Sequence, residues 1–100
     1  MINHVVLFKL KEFENEDQKA VVRSKIKKAL LALVDSIPEI KYMQVGENHK
    51  LQSAAFDLCL ISHFESFHDL EVYRVHPEHV KVIDLVRTNT VDRSVVDFEF

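Results

Sequence analysis

One hundred residues with 47% apolar side chains and a net charge of −3 describe one small folded domain, residues 1–100, rather than a disordered chain. With no basic block and no apolar run near membrane length, neither nucleic acid nor a bilayer is an expected partner. A single cysteine, Cys59, and a single glycine, Gly46, exclude an internal disulfide and the glycine-rich phosphate loops.

Residues 2–11 alternate. Ile2, His4, Val6, Phe8 and Leu10 share one face and Asn3, Val5, Leu7, Lys9 and Lys11 the other, which predicts a strand with its even face buried. After a polar stretch, Val22, Ile26, Ala29, Leu30 and Leu33 fall on one side of a long helix reaching about Ser36, stopped by Pro38. Residues 39–47 read as a second strand, with Ile40 and Tyr42 on one side and Lys41, Met43 and Val45 on the other. A polar loop over 46–53 leads to a third strand over 54–64. Its Phe56, Leu58, Leu60 and Phe64 oppose Asp57, Cys59, Ile61 and His63.

Ser66 and Asp69 have the spacing of a helix-capping box. The helix they open should end near His76, because proline disfavours helix in the residue before it, and a new one should start at Pro77. His79, Val82, Ile83 and Val86 form the inward stripe of that helix. Residues 88–93 are expected to turn, and 94–100 to form a last strand, with Val96, Phe98 and Phe100 opposing Val95, Asp97 and Glu99.

The order strand, helix, strand, strand, helix pair, strand predicts an α+β, ferredoxin-like βαββαβ fold with helices on one face of a four-stranded antiparallel sheet. The second sheet face would then carry Val5, Leu7, Met43, Val45, Cys59, Ile61 and Val95, with Asp57, His63 and Asp97 among them. Apolar surface is worth ~25 cal/mol per Å² when covered, so a homodimer through this sheet face is expected.

Chemistry concentrates between sheet and helices. His4 points towards His79, and Tyr73 lies beside the helix break. A histidine base next to a phenol donor suits removal of a proton adjacent to a carbonyl. His76 and His79, three apart, with His4 as a third ligand would be an alternative metal set, but Pro77 interrupts the spacing and no cysteine or carboxylate cluster joins them. No metal and no cofactor is therefore expected. His49, His63 and His68 read as loop or surface residues, and Arg87 and Arg93 as partners for the carboxylates of the last strand. The lone cysteine, and a start lacking the basic and apolar parts of a signal peptide, suggest a cytoplasmic setting.

His4-Val5-Val6-Leu7-Phe8-Lys9-Leu10, Phe56-Asp57-Leu58, Tyr73-Arg74-Val75-His76-Pro77-Glu78-His79 and Val96-Asp97-Phe98 together resemble the stress-responsive α/β barrel domain (Dabb) family over essentially the whole chain. That resemblance implies a dimeric α+β barrel. Most members have no assigned activity. The plant polyketide cyclases among them imply His79 as base, Tyr73 as donor and His4 in support, with Val6, Phe8, Leu60 and Val80 lining a substrate pocket. Those cyclases carry aromatic residues on the first helix, whereas residues 16–37 contain none. The expected function is binding of a small apolar carbonyl compound, with cyclase or lyase chemistry if the protein is an enzyme. The alternatives are a non-enzymatic, stress-associated dimer whose histidines are structural and, more distantly, a haem or quinol monooxygenase of a related barrel.

Overall fold

The computed structural model describes residues 1–49 and 55–100. The elements are β1 (Ile2–Leu10), α1 (Glu16–Ser36), β2 (Tyr42–Glu47), β3 (Leu58–Phe64), α2 (Phe67–Val75), α3 (Pro77–Asn89) and β4 (Thr90–Glu99). The strands form one antiparallel sheet in the order β2-β3-β1-β4. This is the expected ferredoxin-like arrangement, its second helix broken in two. The expected start of the third strand at residue 54 lies outside the described residues.

Helix boundaries follow local chemistry. Asn15 caps α1 by accepting from the Gln18 N–H at 2.9 Å, with Glu16 and Asp17 in the first turn, where the helix dipole favours negative charge. Ser66 does the same for α2, accepting from the Asp69 N–H at 3.1 Å. Ile26, Leu30 and Leu33 of α1 are buried against Val6 and Phe8 of β1, Leu58, Leu60 and Phe64 of β3, and Leu70, Tyr73 and Val86 of the later helices. Each large side chain sealed in this layer contributes about 1.5–3 kcal/mol.

Asp57 departs from expectation. The chain bends at this residue, just before β3 begins, so strand alternation does not reach back to it. Its carboxylate is buried at 3% exposure, accepts from the Leu10 N–H at 2.7 Å and pairs with Lys19 at 3.0 Å. Its own N–H donates to the Phe8 carbonyl at 2.8 Å. One side chain thus fastens the end of β1, the first turns of α1 and the start of β3.

Two strands run in the opposite phase to that expected. Ile40 belongs to a turn, its N–H bonded to the Ile37 carbonyl, and does not alternate with β2. Val45 therefore stands opposite Leu60 and Met43 opposite Ser62, both on the helix side. In β4 the turn expected over 88–93 is absent, because α3 passes directly into the strand. Leu10 pairs with Thr90 but Lys9 with Asp92, leaving Val91 as an extra residue in a bulge. Beyond the bulge Arg93, Val95 and Asp97 face the helix side, and Val96 and Phe98 the open side, opposite to the expected assignment. The open face thus holds Val5, Leu7, Tyr42, Cys59, Ile61, His63, Val96 and Phe98. His63 stacks with Tyr42 at 4.8 Å and meets Phe100 at 4.7 Å between ring centroids, so on this surface it belongs to an aromatic cluster.

Candidate functional site

The break between α2 and α3 builds the site. His76 has an extended backbone (φ −62°, ψ 134°) and ends one helix while capping the next. Its Nδ1 accepts from the Glu78 N–H at 3.1 Å, and its carbonyl accepts from the Val80 N–H at 3.0 Å. The imidazole of His76 is thereby used as a helix cap. That removes it from any ligand set with His79, and no group of three potential metal ligands occurs among the described residues.

The break also leaves carbonyls at the end of α2 without helical partners. One of them, Arg74, accepts from His79 Nδ1 at 2.9 Å. A carbonyl only accepts, so Nδ1 carries the hydrogen and Nε2 is the basic nitrogen of the neutral ring. Across the break the rings of Tyr73 and His79 lie 4.2 Å apart between centroids. Tyr73 also meets Phe64 at 5.1 Å and His4 at 6.1 Å, the latter edge to face.

His4, 8% exposed in the middle of β1, hydrogen-bonds through Nδ1 to the Asp97 carboxylate, its direct neighbour on β4. The carboxylate accepts, so His4 holds its hydrogen at Nδ1 and leaves Nε2 as acceptor in the neutral ring. Sequence reasoning placed Asp97 on the opposite face. The signal it missed was the bulge at Val91, which reverses the strand.

His4, Val6, Phe8, Leu60, Tyr73 and His79 line one cavity of about 40 Å³, joined by Leu30, Arg74, Ile83 and Arg93. Four of these, Arg74, His79, Ile83 and Arg93, also line an outer hollow of about 230 Å³ with Val80, Asp84 and Arg87. Of the expected residues, only Val80 lies in the outer hollow rather than the inner cavity. Among the expected pairings, Arg87 and Arg93 make no ion pair with the carboxylates of β4; both turn to the hollow instead.

Tyr73 is 1% exposed, and its hydroxyl has no hydrogen-bond partner among the described residues. Burial holds its proton far more tightly than in an ordinary phenol, an effect that the positive charge of Arg93 opposes. It therefore stays a donor. Burial likewise lowers the pKa of His79; the hydrogen bond to Arg74 works the other way, while the charges of His4, Arg93 and Arg74 add to the lowering. His79 is thus a neutral base at pH 7.

A roomier hollow of about 390 Å³ lies at the open sheet face, beside Leu7, Gly46 and Cys59. Its acidic members are already engaged, Glu47 with Arg23 and Asp57 with Lys19, and burial raises the Cys59 thiol pKa, away from the reactive thiolate. Chemistry therefore favours the smaller cavity under the helices.

A family model described as Stress responsive A/B Barrel Domain matches residues 2–100. A stress-response A/B barrel domain-containing protein of Arabidopsis thaliana is 33% identical over 84 residues, which cover 83% of this chain and 30% of that protein. The chain spans less than half the length of the curated relatives it matches. A dimeric ferredoxin-like protein of unknown function from Bacteroides fragilis superposes with a TM-score of 0.89 at 33% identity, over 99% of this chain and 95% of that one. A hydroxynitrile lyase from Passiflora edulis shares the fold, with a TM-score of 0.80 at 17% identity over 97% and 90% of the two chains. With its Tyr73–His79 corner, its four-stranded sheet and a family match running from residue 2 to residue 100, this chain belongs to the stress-responsive A/B barrel domain family.

Proposed function

We propose that the chain binds a small, mostly apolar carbonyl compound between sheet and helices, and that its chemistry there is proton transfer next to the carbonyl. The observation that carries this reading is the buried Tyr73 hydroxyl, unpartnered among the described residues, on a side chain that lines one cavity together with His4 and His79. An orphaned buried hydroxyl costs about 1–3 kcal/mol, a cost that a bound carbonyl oxygen would offset. His79 Nε2 would take the proton from the carbon beside the carbonyl, and the oxygen of the resulting enolate would accept from Tyr73. His4, oriented by Asp97, would supply a second polar contact. Val6, Phe8 and Leu60 would exclude water from the reacting carbon.

The test is hydrogen–deuterium exchange at the central carbon of 2,4-pentanedione in D₂O, followed by NMR. Exchange above the buffer rate, lowered about 10²-fold or more in His79→Ala, would support catalysis. Equal rates with and without protein would leave binding as the function. The structural alternative draws on His76, whose ring serves as a cap. It predicts that carbonyl compounds leave the His4, Tyr73 and His79 NMR signals unmoved.

The functional unit proposed is a homodimer joined through the open sheet face. Leu7, Tyr42, Val96 and Phe98 are exposed there on a sheet with helices on only one side, and the Bacteroides fragilis relative is described as dimeric. Sedimentation should give a dimer at micromolar concentration, and Val96→Glu with Phe98→Glu should give monomers.

A further inference from the structure

Three of the chain's four arginines line the hollow outside the Tyr73 cavity: Arg74 from α2, Arg87 from α3 and Arg93 from β4. The side chains of Arg87 and Arg93 have no hydrogen-bond or ion-pair partner among the described residues. Arg74 pairs with Glu71 at 3.0 Å, but the two side chains are 61% and 59% exposed, so water screens the pair and a competing anion can displace it. Asp84 is the one carboxylate on this wall among the described residues. Like charges gathered from three separate elements of an acidic chain repel one another unless an anion sits among them.

We propose that this arginine mouth selects ligands carrying a carboxylate, so that the site takes a small oxo acid in preference to a neutral ketone. This rests on the carbonyl-site proposal above and specifies its substrate class. Guanidinium groups meet carboxylates through paired, charge-assisted hydrogen bonds. At the inner end, the Tyr73 hydroxyl, unpartnered among the described residues, would donate to the ketone oxygen. The inner cavity of about 40 Å³ has room for little more than a carbonyl and a methyl group, which leaves the acid end in the outer hollow of about 230 Å³. The two volumes together fall below the ~300–1,000 Å³ usual for drug-sized ligands, so the acid is a short one. Arg93 lines both the inner cavity and the outer hollow, which places it at the threshold between the two spaces.

The probe is 4-oxopentanoate, titrated into the full chain at pH 7 and followed by protein NMR. Its methyl ester and plain pentanoate serve as comparisons. The acid should bind roughly tenfold more tightly than the ester, the value of about one charge-assisted contact, and shift signals of Tyr73, His79 and Arg93. Arg93→Leu and Arg87→Leu should each reduce the acid's advantage over the ester. Arg23→Leu, at the arginine outside the hollow, should not. Equal binding of acid and ester overturns the carboxylate preference while leaving the carbonyl site intact. Tight binding of pentanoate, indifferent to Tyr73→Phe, supports the arginine mouth but defeats the carbonyl site beneath it. Millimolar concentrations of all three compounds without a shift overturn both.

Discussion

His4 and Asp97 stand directly opposite each other on β1 and β4, and the carboxylate holds the imidazole with its hydrogen at Nδ1. Replacement of the carboxylate removes that hold. In Asp97→Leu the His4 ring should sample both tautomers, seen as averaged ring-nitrogen shifts in ¹⁵N NMR. The stability cost should be about 1 kcal/mol, since Asp97 is partly exposed and water softens the pair.

Tyr73→Phe separates stability from function. The hydroxyl is buried without a partner among the described residues, so its removal deletes a desolvated polar group and keeps the ring packed on Phe64. Urea denaturation should show unchanged stability or a gain of up to about 1 kcal/mol. Carbonyl binding should weaken in the same variant. A loss of about 2 kcal/mol or more would mean that the hydroxyl has a structural partner.

The pH dependence follows from His79. Its pKa is lowered in the folded chain, while the unfolded chain keeps a value near ~6.5. As the pH falls below ~6.5, the unfolded chain takes up the proton first, so stability drops until the folded-state pKa is passed; above ~6.5 this contribution is fully present. Denaturation curves between about pH 7.5 and 5 should show the decline, and His79→Gln should remove that part of it. The C2 proton of His79 should titrate with a midpoint below ~6.5.

Asp57 is a stability residue and not a site residue. Asp57→Ala would strand the buried Leu10 N–H and leave Lys19 unpaired, a loss of about 2–4 kcal/mol measurable by urea denaturation. Lys19→Ala should cost less, because the lysine is partly exposed. Neither substitution should alter the affinity of the Tyr73 cavity in chain that remains folded.

The sequence carried β1, α1 and the α2–α3 break because each has one dominant signal: strict alternation from Ile2 to Leu10, a helical stripe through Ile26, Leu30 and Leu33, and proline after His76. The Tyr73, His79 and His4 grouping was legible for the same reason. Asp97 and the arginines were not. Alternation gives the two faces of a strand but does not say which one points inward when both hold apolar residues. In β4 the Val96–Phe98 face is the more hydrophobic, yet it lies on the sheet side without helices, and the charged face borders the cavity. Asp57 was misplaced because a bend just ahead of β3 ends the alternation one residue early.

The bulge at Val91 leaves β4 one residue away from a different molecule. A sheet has a side-chain period of two, so one extra residue exchanges both faces of everything that follows. Val91 has no counterpart between the Leu10–Thr90 and Lys9–Asp92 pairs, and by its presence it gives Arg93 to the cavity, Asp97 to His4, and Val96 and Phe98 to the open sheet face. A lineage that lost this residue would move the charges onto the open sheet face and the valine and phenylalanine onto the helix side. Insertion and deletion, more than substitution, are therefore the changes by which a barrel of this kind can trade a polar ligand site for an apolar one.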